Sequence, residues 1–192
     1  MISIIHYNQI VQIEKMNLQK GMNFRCNPNY SVLLMSTRDG APFEDEIAAD
    51  GRVLIYEGHN IYKQYTDKDP YTVNQPRQTP KGTLTDNGKF EKAALGFKNN
   101  EREAEIVRVY EKIKDGIWSF NGIFKLVDAY EKSVVERTVF KFILLLTDEE
   151  IDELKENIEI KEHARLIPSK VKAEVWKRDK GQCVECGSKD HL

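Results

Sequence analysis

Cysteine is scarce in this chain, and the little there is does not form a disulfide framework. Cys26, Cys183 and Cys186 are an odd set of three among 192 residues. The fold therefore has to rest on a hydrophobic core, in a reducing compartment. Long apolar runs are missing as well: the longest, Phe142 to Leu146, is strand-sized, far short of the ~20 residues that span a bilayer. The opening stretch, Met1 to Asn8, lacks the basic region and apolar core of a secretory signal. These absences predict a cytoplasmic protein without membrane contact. Charge of one dominant sign is also lacking. At a net charge of −2 the chain has no global polyanion field, so any nucleic-acid surface must be a local patch. Internal repeats and low-complexity tracts are absent.

Hydrophobic residues at 40% and charged residues at 31% suffice for one sizeable domain with an appendage. The apolar run at Ser31 to Ser36 predicts a strand buried on both faces. The Asp50-Gly51 turn leads into a second strand, Arg52 to Tyr56. Residues 59–84 are polar and carry Pro70, Pro76 and Pro80, the pattern of a long functional loop. A helix is expected over Thr85 to Phe97, with Phe90, Ala93, Ala94 and Phe97 on its apolar face. Three strands follow: Ile106 to Tyr110, Gly122 to Tyr130 entered through an Asn121-Gly122 turn, and Thr138 to Leu146. Thr147-Asp-Glu-Glu150 is a capping-box pattern that starts a helix running to about Ile158. A last helix is expected from Pro168 to about Asp179. Between Lys161 and Gln182 seven basic residues face three acids, either a solvated helix face or a phosphate contact.

The C-terminal phrase Trp176-Lys-Arg-Asp-Lys-Gly-Gln-Cys183-Val-Glu-Cys186-Gly sets two cysteines in C-x-x-C spacing on a glycine-bearing turn. Two thiolates aimed at one ion are half of a tetrahedral zinc site. Ordinary thiols and a redox pair are the competing readings. The phrase resembles the opening of the HNH endonuclease module. That resemblance implies a structural zinc held in part by Cys183 and Cys186, and a divalent metal in the whole nuclease. His6, His59, His163 and His191 match no part of the family's catalytic motif. The expectation is therefore a chain without catalytic residues of its own, in which residues 170–192 begin a truncated module.

Residues 31–146 resemble the SRA (YDG) domain, which reads modified bases in DNA. The phrases that carry the likeness are Gly40-Ala-Pro-Phe-Glu-Asp-Glu46, Asp50-Gly-Arg-Val-Leu-Ile-Tyr-Glu-Gly58, Leu84-Thr-Asp-Asn-Gly-Lys89 and Phe120-Asn-Gly-Ile-Phe-Lys-Leu-Val-Asp-Ala-Tyr130. Phe-Asn-Gly replaces the family's Tyr-Asp-Gly, and Glu57 stands where a small hydroxyl residue is usual. The resemblance implies an α+β fold: an SRA-like curved β-barrel or sheet with flanking helices over 31–147, preceded by an N-terminal extension (1–30). A helical connector (148–169) and the incomplete ββα-metal module would follow. It implies recognition of double-stranded DNA by flipping a modified base into a pocket of stacking faces and edge-reading hydrogen bonds. Phe43 and Tyr56 would be its walls. Asp45 or Glu46, with Glu44 as a further register, would accept from an exocyclic amine, and Glu57 would lie beside them. Arg38, Arg77, Lys81, Thr83 and Thr85 are the candidate DNA contacts, with Lys177 and Arg178 in the basic segment. The loop holding His59, Tyr62 and Tyr65 would plug the vacated stack. The whole is expected to be the reader of a modification-dependent restriction endonuclease. Two other readings stay open: a regulatory module dimerised through a shared zinc, and an RNA-binding protein that uses the same stacking chemistry.

Overall fold

The computed structural model describes residues 4–18, 20–48, 51–147, 167–182, 184, 186 and 187. Eight strands make one sheet in the order β2-β3-β6-β7-β8-β5-β4, with β1 paired to β7. The strands are β1 (Ile4–His6), β2 (Met22–Asn27), β3 (Tyr30–Met35), β4 (Glu46–Ile47), β5 (Val53–Glu57), β6 (Glu105–Lys114), β7 (Ile117–Val134) and β8 (Arg137–Thr147). Among the described residues three α-helices accompany them: α1 (Tyr7–Glu14), α2 (Asp86–Lys98) and α3 (Ser169–Arg178). β3 and β6 pair in parallel, and every other pairing is antiparallel. The sheet is open, with β2 and β4 at its edges, so the barrel alternative does not hold among the described residues. Residues 4–27 supply β1 and β2 and so belong to the sheet as well as packing on it.

Strand alternation gives the sheet two apolar faces. On one, Leu33, Met35, Val107, Val109, Phe124 and Leu126 meet α2 through Phe90, Ala93 and Ala94. Phe90 packs edge-on against Phe24 at 5.2 Å and contacts Phe142 at 5.8 Å. Burying such a ring contributes roughly 1.5–3 kcal/mol. On the other face Val32, Tyr110, Phe120 and Ile123 pack with Ile10 of α1 and with Leu18. Below α1 lies a charge pair: Glu14 and Arg108, 7% and 1% exposed, are 3.2 Å apart. The guanidinium sits over the rings of Tyr30, Tyr110 and Phe120.

One sequence expectation is overturned. Asn121-Gly122 is no hairpin turn, because β7 runs unbroken through it and the turn lies at Asp115-Gly116, where Gly116 has φ 77°. Val109 pairs with Gly122 and Tyr110 with Phe120, so Asn121 is the extra residue of a bulge and Gly122 takes φ 110°. The positive φ that Asn-Gly affords in a hairpin is used here to bend a long strand. The helix expected over 148–158 lies outside the described residues. Of the C-terminal segment, α3 and a few residues after it are described. No helix among the described residues is long and apolar enough to cross a membrane.

Candidate nucleic-acid interface

The segment between β3 and β4 (residues 36–45) folds back over the end of the sheet because Asp45 pins it there. The Asp45 carboxylate accepts from the backbone amides of Ser36 and Glu57, each at 3.0 Å, stapling the loop's two ends to β5. Burial pushes the Asp45 carboxyl up to about 7, against the opposing pull of those two amides and the Lys141 ammonium. The same loop delivers Phe43, which stacks on His59 at 5.6 Å with 24° between the planes and contacts Tyr71 at 6.4 Å. Burial lowers the His59 imidazole to about 4, so it is neutral at pH 7. Its Nε2 lies 3.5 Å from the Tyr56 hydroxyl.

Two cavities flank Phe43 and Asp45. The inner one, about 380 Å³, is floored by Gly21 and Leu34 and walled by Phe43, Asp45 and Trp118, with Lys20, Arg38 and Lys112 among its lining residues. A side chain on Gly21 would meet the Tyr56 hydroxyl at 2.7 Å and His59 Nε2 at 2.8 Å, so only glycine lets the backbone here pack this closely against those two side chains. The outer one, about 410 Å³, has Glu44, Asp45 and Glu46 on one side and Ile55, Tyr130, Lys132 and Lys141 on the other. A third cavity, about 180 Å³, opens at the start of α2 between His59, Tyr62, Tyr65 and Lys89. Both cavities carry Phe43 and the half-buried Asp45 carboxylate; the inner one sets that single acid against Lys20, Arg38 and Lys112, whereas in the outer one Arg38, Lys132 and Lys141 are matched by Glu44, Asp45 and Glu46.

The structure separates the expected site residues. Phe43 and Asp45 line both flanking cavities, and Glu46 lines the outer one. Tyr56 offers no open face: at 2% exposed its ring is part of the α2-side core, since β5 turns Leu54 and Tyr56 inward together, and its hydroxyl points to the Leu34 carbonyl at 3.4 Å. Glu57 lines none of these three cavities. It is 3% exposed and is held by Lys141 at 2.9 Å, Arg137 at 3.3 Å and the Glu44 amide at 3.2 Å.

The candidate DNA contacts divide likewise. Arg38 lines both flanking cavities, with Asp115 3.8 Å away. Arg77 is engaged by Glu91 and by Glu131 at 2.8 Å, which leaves it little free charge for phosphate. Thr85 is the N-cap of α2: its hydroxyl accepts from the Gly88 amide and donates to the Pro76 carbonyl, so its role is local. Thr83 shares a hydroxyl contact with Thr79 at 2.7 Å, and both Thr83 and Lys81 are exposed. Lys177 and Arg178 are exposed on α3, with Arg178 paired to Asp179. Cys186 is exposed, and Cys183 lies outside the described residues. No group of three or more His, Cys, Asp and Glu among the described residues has the arrangement of a metal site. Sequence reasoning missed Gly21, Lys20, Lys112 and Trp118, which come from distant segments and carry no shared motif.

No family model matches the sequence, and no curated protein matches it. Several solved structures are similar in fold. The chain is similar to the SRA domain of SUVH5 in complex with hemimethylated CG DNA, with a TM-score of 0.51 and 16% identity over 77% of this chain and 87% of that one. It is similar to the same domain bound to fully hydroxymethylated CG DNA, with a TM-score of 0.50 and 15% identity over 77% and 88%. The DNA-recognition domain of the cytosine modification-dependent restriction endonuclease LpnPI follows, with a TM-score of 0.44 and 14% identity over 68% and 61%. The likeness to the SUVH5 domain shows that the chain has the mixed α+β, open-sheet fold of SRA domains.

Proposed function

We propose that this chain reads a modified base in double-stranded DNA, held out of the stack in the inner cavity between Phe43 and Asp45. The observation that carries the reading is the joint placement, on one cavity, of the Phe43 ring and the half-buried Asp45 carboxylate held by two backbone amides. A base checked for a small substituent must leave the duplex, and it then needs a stacking partner and an acceptor for its exocyclic amine. Phe43 is the stacking partner and ionised Asp45 the acceptor. Two backbone amides orient the carboxylate in the DNA-free chain, and one of them, from Ser36, ties it to the strand end that would feel a base bound there. Lys20, Arg38 and Lys112 meet the phosphates that flank the extruded nucleotide. Tyr62 and Tyr65, each 47% exposed, and Tyr71, 50% exposed, lie in the segment that fills the vacated stack.

The fold shared with an SRA domain in complex with hemimethylated DNA supports this reading. The C-terminal phrase supports a second part of it: the chain is the reader of an HNH restriction endonuclease, with Cys183 and Cys186 as half of a zinc site. Cys183 lies outside the described residues, and the described ones hold no group of three or more His, Cys, Asp and Glu placed for a metal. Affinity measured on matched duplexes tests the reading. A duplex with one methylcytosine, hydroxymethylcytosine or methyladenine should bind at least about tenfold tighter than its unmodified twin, about 1.4 kcal/mol. Equal affinity across the panel, or tighter binding of a matched RNA, overturns it.

A further inference from the structure

A run of polar contacts, partly buried at the cavity end and fully buried beneath α3, joins the Asp45 cavity to that helix. Asp45 accepts from the amide of Ser36; the next residue, Thr37, donates its hydroxyl to Glu111 at 3.1 Å. Glu111 is fully buried, and its other oxygen receives Lys172 of α3 at 2.8 Å and the side-chain amide of Asn121 at 3.0 Å. Lys172 also donates to the side-chain Oδ1 of Asn121. Asn121 is the bulge residue of β7, so the bend in that strand creates the acceptor. Lys172 is 4% exposed, whereas most of α3 is exposed. Among the described contacts, the inserted Lys172 ammonium and Trp176, whose ring lies 4.3 Å under the Lys114 ammonium, seat the helix.

A lysine buried against a carboxylate is either fully inserted or withdrawn into water, since an intermediate position loses the ion pair without regaining hydration. We propose that α3 is the transmitting element of the reader: the seating of Lys172 on Glu111 is coupled, through Thr37 and Ser36, to the position of Asp45 and hence to the loading of the base cavity. The inference rests on the reading above only for the identity of the load. Asp45 shifts to meet a base, the Ser36-Thr37 peptide follows, and the Thr37 hydroxyl changes what Glu111 offers Lys172. Whatever lies beyond α3 then receives the state of the cavity as a change in helix seating. By linkage, seating of α3 changes affinity for the base by the same factor.

Hydrogen exchange of the α3 amides in the full chain reads the seating equilibrium directly. In the DNA-free protein, Asp45→Asn places an amide group against one of the two backbone N–H donors and should raise α3 exchange at least about threefold, with the effect lost in a Thr37→Val background. Thr37→Ser, which keeps the hydroxyl, should restore it, and Thr37→Ala is a second way to break the same link. In parallel, the wild-type chain should show altered α3 exchange with modified duplex and none with unmodified. If Asp45→Asn has the same effect on α3 in both backgrounds, or none in either, the coupling is refuted even where modified DNA binds preferentially. If no duplex discriminates, the base-reading function fails while the DNA-free cycle still decides the coupling.

Discussion

Asp45 should give the chain two pH signatures of opposite sign. Its carboxyl is pushed up to about 7 in the folded protein from an ordinary 3.8. Between pH 4 and 7 the folded chain therefore holds a proton that the unfolded chain has lost, and folding stability falls as pH rises through that window. From pH 6 to 8 the fall from this one group is about 1.4 kcal/mol. Affinity moves the other way. An exocyclic amine needs an ionised acceptor, and the ionised fraction rises from about one eleventh at pH 6 to ten elevenths at pH 8, about tenfold. Binding of modified duplex should thus strengthen about tenfold over that interval, while an unmodified duplex held by phosphate contacts changes little. His59, lowered to about 4 from an ordinary 6.5, stays neutral in the folded chain and leaves affinity unchanged; its unfolded imidazole takes up a proton below about pH 6.5, so this group raises stability by roughly 0.8 kcal/mol from pH 6 to 8 and offsets part of the Asp45 fall. Fluorescence anisotropy at fixed ionic strength measures both duplexes, and Asp45→Asn should flatten the difference between them. Affinity that rises toward acid pH would refute the assignment, because the protonated carboxyl would then be donating to the base.

Three further outcomes follow from single sites. Glu14→Gln should destabilise the fold by roughly 3–5 kcal/mol, read as a lower urea midpoint, because Arg108 would stay buried without its counter-charge; adding Arg108→Met should recover part of the loss, and a change under about 1 kcal/mol would contradict the pairing. Lys177→Ala and Arg178→Ala should weaken modified and unmodified duplexes alike and lower the salt slope by about 1 each; an effect on modified DNA alone would place them in base reading instead. Zinc added to the purified chain should bind weakly or bridge two chains, since two thiolates fill half a tetrahedron, and Cys183→Ser should abolish it. One tight zinc per monomer would contradict the half-site.

Local chemistry made much of the fold legible. The four-residue apolar run at Val32 to Met35 became β3, and Thr85 capped α2 with Phe90, Ala93 and Ala94 turned inward. Where the sequence misled, two structures shared one signal. Asn121-Gly122 supplies positive φ to a hairpin or to a bulge, and only the pairing of β6 with β7 decides between them. Tyr56 and Glu57 sit beside the site in sequence, but strand direction sends one into the core and ion pairing buries the other. The cationic rim was illegible because Lys20 lies just before β2 and Lys112 on β6, and the sheet's non-sequential strand order brings them together. The buried Lys172 read as one more charge in a basic run.

The most direct measurement places a fluorescent adenine analogue, 2-aminopurine, next to the modified base in a duplex. Extrusion of the modified base unstacks its neighbour, so emission should rise on binding of the modified duplex, stay flat with the unmodified twin, and lose its rise with Phe43→Ala or Asp45→Ala. Tight binding of the modified duplex with unchanged emission would contradict the account, because the base would then be read inside the stack.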